Sequence, residues 1–319
     1  MRTGIFAGIT WALETVLLSM ALSMSPFVST AQAVFLAPFI ATFIHDGFSA
    51  LFMLLYNTVR GRLKELFEVF KNVRFKWLVL ASAVGGPIGM TGYVLAVNYM
   101  GASIGAVASA IYPAIGTAMA CLFLKEKVKW YQWLFLFCTL LGVYGLSCSP
   151  TLDIENFWLG LLGALMCAFG WGIEAVILAK CFKDDTIKNE YALNIRQTVS
   201  ALVYGLIILP VVGGWELTID LMTNSSGWAL PIIAAAALCA TISYLLYYQT
   251  IGKVGASKAM ALNITYTAWA IVFTLLLFQD FSILQPLTVI CAFVIVVCGI
   301  LAATDFNELF HKKKKISTK

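Results

Sequence analysis

Apolar stretches of about twenty residues follow one another along this sequence with short polar breaks between them. They lie near 3–24, 30–58, 76–99, 102–124, 130–148, 156–179, 189–213, 227–251, 256–278 and 284–304. Each is long enough to cross hydrocarbon as a helix, and none alternates with the period of two that a barrel strand would need. The expectation is an all-α membrane protein with ten transmembrane helices. Composition agrees, because 61% of the 319 residues are hydrophobic and 12% charged, against roughly 45 to 50% apolar in soluble domains.

The basic residues set the orientation. With the N-terminus inside, the cytoplasmic side receives Arg2, the group Arg60 to Lys76, Lys125, Lys127, Lys129, Lys180, Lys183, Lys188, Lys253, Lys258 and the tail Lys312 to Lys315 with Lys319. Arg196, inside the seventh stretch, is the exception. The outer loops hold Asp153, Glu155, Glu216, Asp220 and Asp280 but no Lys or Arg, so both termini are expected in the cytoplasm by the positive-inside rule. The net charge of +5 is then a topology signal and no nucleic-acid partner is expected. The lysine tail is expected to meet anionic headgroups, and 61–71 to form a short interfacial helix. Glu14 breaks what would otherwise be a signal-peptide core in the first stretch.

Two internal matches divide the chain. Trp11-Ala-Leu-Glu14 returns as Trp171-Gly-Ile-Glu174, and Gly101-Ala-Ser103 followed by Ile111-Tyr112-Pro113 returns as Gly255-Ala-Ser257 followed by Thr265-Tyr266-Thr267. Five helices per copy is an odd number, so the copies enter the membrane in opposite directions and the substrate site is expected at their interface. The expected organisation is a five-helix repeat over 1–150, its inverted partner over 151–310 and a basic tail over 311–319.

The run from Ser109-Ala-Ile-Tyr112-Pro113 to Leu122-Phe-Leu-Lys-Glu126, before a Gly-rich fifth helix, resembles an EamA repeat of the drug/metabolite transporter superfamily. His45-Asp46, Gly86-Pro87-Ile-Gly-Met90, Trp171-Gly172, Ile195-Arg196-Gln197, Ile242-Ser-Tyr244 and Asn263…Tyr266…Trp269 are similar to segments of its bacterial choline importers. The resemblance implies a central pocket, alternating access and a quaternary ammonium held by rings at Trp11, Trp171, Tyr244 and Tyr248, with Glu174 as the pocket acid. Glu14 departs from that pattern, which carries a small residue there. The expected substrate-binding set is completed by Glu14, Tyr112, Gln197, Tyr247, Asn263 and Tyr266.

The residues themselves support a cation site. A quaternary ammonium donates no hydrogen bonds, so ring faces and carboxylates must hold it. Tyr244, Tyr247 and Tyr248 share a helix face by their spacing, and Trp11 and Trp171 each precede an acid by three residues. Trp77, Trp130, Trp133, Trp158, Trp215 and Trp228 lie near span ends and read as interfacial belts. Acids inside hydrocarbon are costly, which makes Glu14, His45, Asp46 and Glu174 the proton-coupling candidates, with an Asp46–Arg196 ion pair as the structural alternative for that couple. Pro87, Pro113, Pro210 and Pro231 are expected hinges, and Gly85 and Gly89 a close packing face. Eight cysteines without a C-x-x-C pair suggest neither disulfides nor a metal site, and no cofactor is expected. Gly101-Ala-Ser-Ile-Gly105 matches a nucleophile elbow only formally, because it joins apolar helices and has no Asp or His partner. Asn224-Ser-Ser226 is a glycosylation sequon in an expected outer loop.

The expected function is a secondary-active importer of choline or a similar quaternary amine in a bacterial cytoplasmic membrane, driven by membrane potential and protons. An exporter of amino acids, metabolites or amphipathic cations is the alternative that the extra Glu14 suits. An intramembrane enzyme or receptor lacks a catalytic dyad or a signalling domain.

Overall fold

Hydrocarbon offers no hydrogen-bond partners, so a chain this apolar must satisfy its backbone within helices. The computed structural model describes residues 1–147, 156–183, 187–223, 227–279 and 281–306, and among them every regular element is helical. Seven helices are long and apolar enough to cross a membrane. They are α1 (Arg2–Leu22), α2 (Ala31–Val59), α3 (Phe75–Met100), α6 (Phe157–Phe182), α7 (Asn189–Val212), α8 (Ala229–Val254) and α9 (Ala256–Phe278). The apolar helices α4 (Tyr112–Leu124), α5 (Trp130–Ser147) and α10 (Pro286–Ala302) are shorter. The chain is a multi-pass membrane protein. Asp153, Glu155, Asn224 to Ser226, Asp280 and the lysine tail lie outside the described residues, as do the side chains of the Gly101 to Gly105 match.

Caps mark two of the starts. Thr30 Oγ1 accepts from Ala33 N at 3.0 Å and Asn156 Oδ1 from Leu159 N at 3.1 Å, each satisfying a first-turn amide that helix geometry leaves open. Between α2 and α3 the expected interfacial segment forms a helix over Leu63–Glu68 and a 3-10 turn over Val69–Lys71, with Phe67 and Phe70 exposed. Pro113 and Pro231 fall in first turns, where a missing N–H costs little, so they begin helices instead of bending them. Pro87 and Pro210 behave differently. They lie within or just after π turns at Val84–Ile88 and Tyr204–Ile208, where the regular ladder is interrupted.

The sequence predicts an outer loop after residue 213 with Trp215 at the interface, and the structure differs on both among the described residues. A helix runs over Trp215–Thr223, and Trp215 turns inward, its indole Nε1 donating to the Gly205 carbonyl at 3.1 Å inside the second π turn. Phe43 meets it edge-on at 5.3 Å. The other five belt tryptophans are exposed.

Helices distant in sequence form the main packing pairs. α1 packs on α8 and α3 on α6; α2 faces α7 and α5 faces α10; α1 also packs on α9, as α4 does on α6. At the Lys/Arg-rich end, polar ties join the two parts of the chain. Glu126 accepts from Ala256 N at 2.9 Å and from Ser257 N and Oγ at 3.2 and 2.6 Å. The intervening Gly255 adopts φ +91°, and a Cβ there would stand 2.7 Å from that carboxylate, so two constraints require glycine. Gln132 donates to the Ala302 and Thr304 carbonyls, and Arg62 meets Glu190 at 3.4 Å. Lys188 and Tyr191 both donate to Glu65, and the Lys188 ammonium holds that carboxyl below its ordinary range.

Candidate functional site

Both copies of the repeated Tyr motif break their helices. Residues 110–111 form a turn before α4 begins at Tyr112, and α9 is interrupted at Ile264 and Thr265 before Tyr266. The breaks bring Tyr112, Asn263 and Tyr266 to one place, with Asn263 Nδ2 donating to Tyr112 OH at 3.1 Å. Around them α1 supplies Trp11, α6 supplies Trp171, Glu174 and Ala175, and α8 supplies Tyr244 and Tyr247. These nine residues enclose a cavity of about 30 Å3. That volume holds one or two waters, so the rings must separate before an organic cation can enter. Trp11 meets Tyr244 edge-on at 4.7 Å and Trp171 meets Tyr112 edge-on at 5.4 Å.

A second small cavity lies beside the first, also about 30 Å3, lined by Glu14, Thr42, His45, Asp46, Met90 and Arg196 among others. Trp11 and Tyr244 line both and form the partition. The charged side chains run through it as a chain. Glu14 Oε1 stands 3.5 Å from His45 Nε2, His45 Nδ1 3.0 Å from Asp46 Oδ1, Asp46 Oδ2 3.5 Å from Arg196 Nη1, and Arg196 Nε 3.2 Å from Glu174 Oε1. All five are buried. Three acids against one arginine leave this cluster at −2 when His45 is neutral, an environment that favours a cation.

Arg196 supplies the site's own cation. Its Cζ lies 4.6 Å from the Tyr244 ring centroid, and its guanidinium is divided between Glu174 and Asp46, with Nη1 also donating to Gln197 Oε1 at 2.6 Å. Tyr248 OH donates to Glu174 Oε1 at 3.1 Å. Glu174 fits because α3 has no side chain opposite it: a Cβ on Gly85 would fall 1.9 Å from Glu174 Oε2, and one on Gly89 2.9 Å from the Trp171 indole. The close face expected of Gly85 and Gly89 is thus the seat of two site residues.

Residues 3–148 match the EamA-like transporter family. Protein LicB of Haemophilus influenzae is 28% identical over 211 residues, covering 66% of this chain and 69% of that protein. The chain thus resembles the drug/metabolite transporter superfamily, over its first half in the family match and over two thirds of its length in the match to LicB. A protein of known crystal structure, 15% identical, shares the fold with a TM-score of 0.70 over 95% of this chain and 96% of its own.

Among the residues expected to hold substrate, Trp11, Tyr112, Trp171, Glu174, Tyr244, Tyr247, Asn263 and Tyr266 line one cavity. Three others lie off it. Glu14 belongs to the second cavity, Tyr248 packs behind Glu174 against Phe182 at 5.7 Å, and Gln197 is fully buried, donating to Ser49 Oγ at 2.9 Å. The spacing i, i+3, i+4 put three tyrosines on one face of α8, but that face is wide enough for Tyr248 to reach Glu174 from behind. Tyr93 was missed. It stacks on Trp171 at 6.1 Å, and its position one turn beyond Gly85 and Gly89 on the same face was the available signal.

Trp171 allows a direct check of ring function. Trp171→Ala is expected to weaken binding of a quaternary amine by about 1 to 2 kcal/mol, and Trp171→Phe to recover part of it, because a smaller quadrupole remains. Calorimetry on detergent-solubilised protein measures both. Equal losses would assign the indole to packing.

Proposed function

We propose that this transporter is a secondary-active importer of choline or a similar quaternary amine, working by alternating access in a bacterial cytoplasmic membrane. The observation that carries the reading is a ring of six aromatic side chains, Trp11, Tyr112, Trp171, Tyr244, Tyr247 and Tyr266, around the single carboxylate of Glu174. Such a site offers π faces and one counter-charge where a primary amine would want several acceptors. The amide oxygen of Asn263 is buried without a partner on the same cavity and suits the hydroxyl of choline.

The chemistry of transport follows from Arg196. Before substrate arrives, the guanidinium neutralises Glu174 and covers Tyr244. An entering ammonium takes over both contacts, while Asp46 and Gln197 retain the arginine. Glu174 therefore has a cationic partner both before and after substrate binds, which avoids the cost of several kcal/mol for an unmatched charge at that carboxylate. A cation is drawn inward by about 2.3 kcal/mol per 100 mV, so accumulation needs no nucleotide. Protons enter through Glu14, His45 and Asp46, the chain that ends at Arg196.

The proposal includes ten crossings in two inverted repeats over 1–150 and 151–310, with both termini cytoplasmic. The packing pairs support it, because exchanging each helix of α1 to α5 with its counterpart in α6 to α10 turns α1 on α8 into α6 on α3, and α1 on α9 into α6 on α4. An impermeant thiol reagent is expected to label Asp220→Cys from outside intact cells and to miss Lys313→Cys. Labelling of the latter above the wild-type background would reverse the orientation.

Uptake of radiolabelled choline into proteoliposomes under an imposed inside-negative potential tests the function. Quaternary amines should compete and neutral amino acids should not. Competition by amino acids alone, or flux indifferent to the potential, would favour an exporter of another substrate class.

A further inference from the structure

Two helical segments run between the aromatic cavity and the Lys/Arg-rich end of the molecule. α4 starts at the cavity with Tyr112 and stops at Leu124, whereas the first part of α9, Ala256–Asn263, starts at the basic end and reaches the cavity with Asn263. They are joined at both ends. Beside the cavity Asn263 Nδ2 donates to Tyr112 OH at 3.1 Å. At the far end Glu126 clasps the first turn of α9, accepting from Ala256 N, Ser257 N and Ser257 Oγ at 2.9, 3.2 and 2.6 Å. The backbone aims that carboxylate. Lys125 takes a left-handed φ of +58°, uncommon for a residue with a side chain, and Glu126 N donates back to the Ala120 carbonyl at 3.2 Å, so the chain turns sharply off α4. A carboxylate at a helix N-terminus meets open amides and the positive end of the dipole together, which makes these strong hydrogen bonds.

Between the two ends the contact is thin. Gly116 lets α4 close on Met260, since a Cβ there would stand 2.5 Å from the sulfur. Beside that contact lies a cavity of about 190 Å3 with Thr117, Ser257 and Ala261 on its walls. The Thr117 hydroxyl is buried with no hydrogen-bond partner among the described residues. Burying an orphan hydroxyl is unfavourable and hydration removes the penalty, so parting the segments here recovers part of what is lost at the clasp. Strong ends and a thin middle suit a pair of elements that separates. We propose that Glu126 is the latch of a gate, α4 against Ala256–Asn263, which closes the aromatic cavity on the Lys/Arg-rich side and opens when the carboxylate leaves the first turn of α9. That this side is cytoplasmic and that choline passes the gate rest on the orientation and function proposed above; the latch does not.

Thiol accessibility of the full chain purified in detergent tests the latch without choline. Met260→Cys and Thr117→Cys place one probe on each segment of the gate, and labelling by N-ethylmaleimide is timed at each residue's own peptide by mass spectrometry. Added to either probe, Glu126→Ala is expected to speed labelling about ten-fold, and Ser257→Ala, which removes one of the three bonds, about three-fold. The milder variant keeps the test decisive should Glu126→Ala fail to give a folded protein. The proposal fails if both probes react no faster than with Glu126 and Ser257 intact. It fails too if Glu126→Ala raises hydrogen exchange at the amides of 256–258 while both thiols stay protected, which would make Glu126 a helix cap and nothing more. Faster labelling in a protein that neither binds nor transports choline would sustain the latch and count against the choline reading alone.

Discussion

Glu174→Gln is expected to abolish potential-driven choline uptake while leaving a folded protein. The carboxylate has two duties in the proposed cycle, as partner to Arg196 before substrate binds and as counter-charge to the ammonium afterwards. Gln keeps the carbonyl oxygen that accepts from Arg196 Nε and Tyr248 OH, and Asp46 remains to balance the guanidinium. The cost of breaking a buried pair, about 3 to 5 kcal/mol when a charge is left unmatched, is therefore largely avoided. What disappears is the exchangeable negative charge. Arg196 would then stay over Tyr244 with nothing to release it, and choline would meet a cavity already occupied by a cation. Gly85→Ala offers an independent approach, because its methyl group would collide with the Glu174 carboxylate without altering any polar group. It is expected to impair uptake nearly as much. Size-exclusion profiles, choline binding and proteoliposome flux should be read together for both variants. Wild-type uptake by Glu174→Gln would remove Glu174 from the substrate path.

Much of this site could be read before its geometry was known, for identifiable reasons. The Tyr112 and Tyr266 motifs are visible because a helix break and a ring are needed at the same point in each copy, and local needs leave local signatures. The aromatic set of α1, α6 and α8 is visible because Trp beside an intramembrane acid is uncommon. What stayed hidden depends on partners far away in sequence. Trp11-x-x-Glu14 and Trp171-x-x-Glu174 look equivalent, yet one carboxylate meets a histidine from α2 and the other an arginine from α7. No spacing along α1 or α6 encodes that difference. Trp215 is a similar case, since the carbonyl it satisfies is opened by a π turn that periodicity alone does not reveal.

That difference in partners gives the two acids different predicted phenotypes. Glu14→Gln is expected to leave choline binding close to wild type, because Glu14 lines the second cavity and is separated from the aromatic one by Trp11 and Tyr244. Its effect should fall on coupling. Glu14 is the outer end of a chain that passes through His45 at 3.5 Å and Asp46 at 3.0 Å to Arg196, so a proton taken up there changes the charge balance that holds the guanidinium. A proton on Glu14 or His45 makes the cluster less negative, so proton occupancy and the position of Arg196 between Asp46 and Glu174 are linked. Removing one protonation site should flatten the pH dependence of uptake and reduce choline-linked proton flux, and His45→Gln, which interrupts the chain at its middle, should reduce it further. An internal pH dye in choline-loaded proteoliposomes measures that flux for wild type and each variant. Undiminished proton movement in Glu14→Gln, together with a Glu174→Gln variant that loses only its response to pH, would exchange the roles assigned to the two acids.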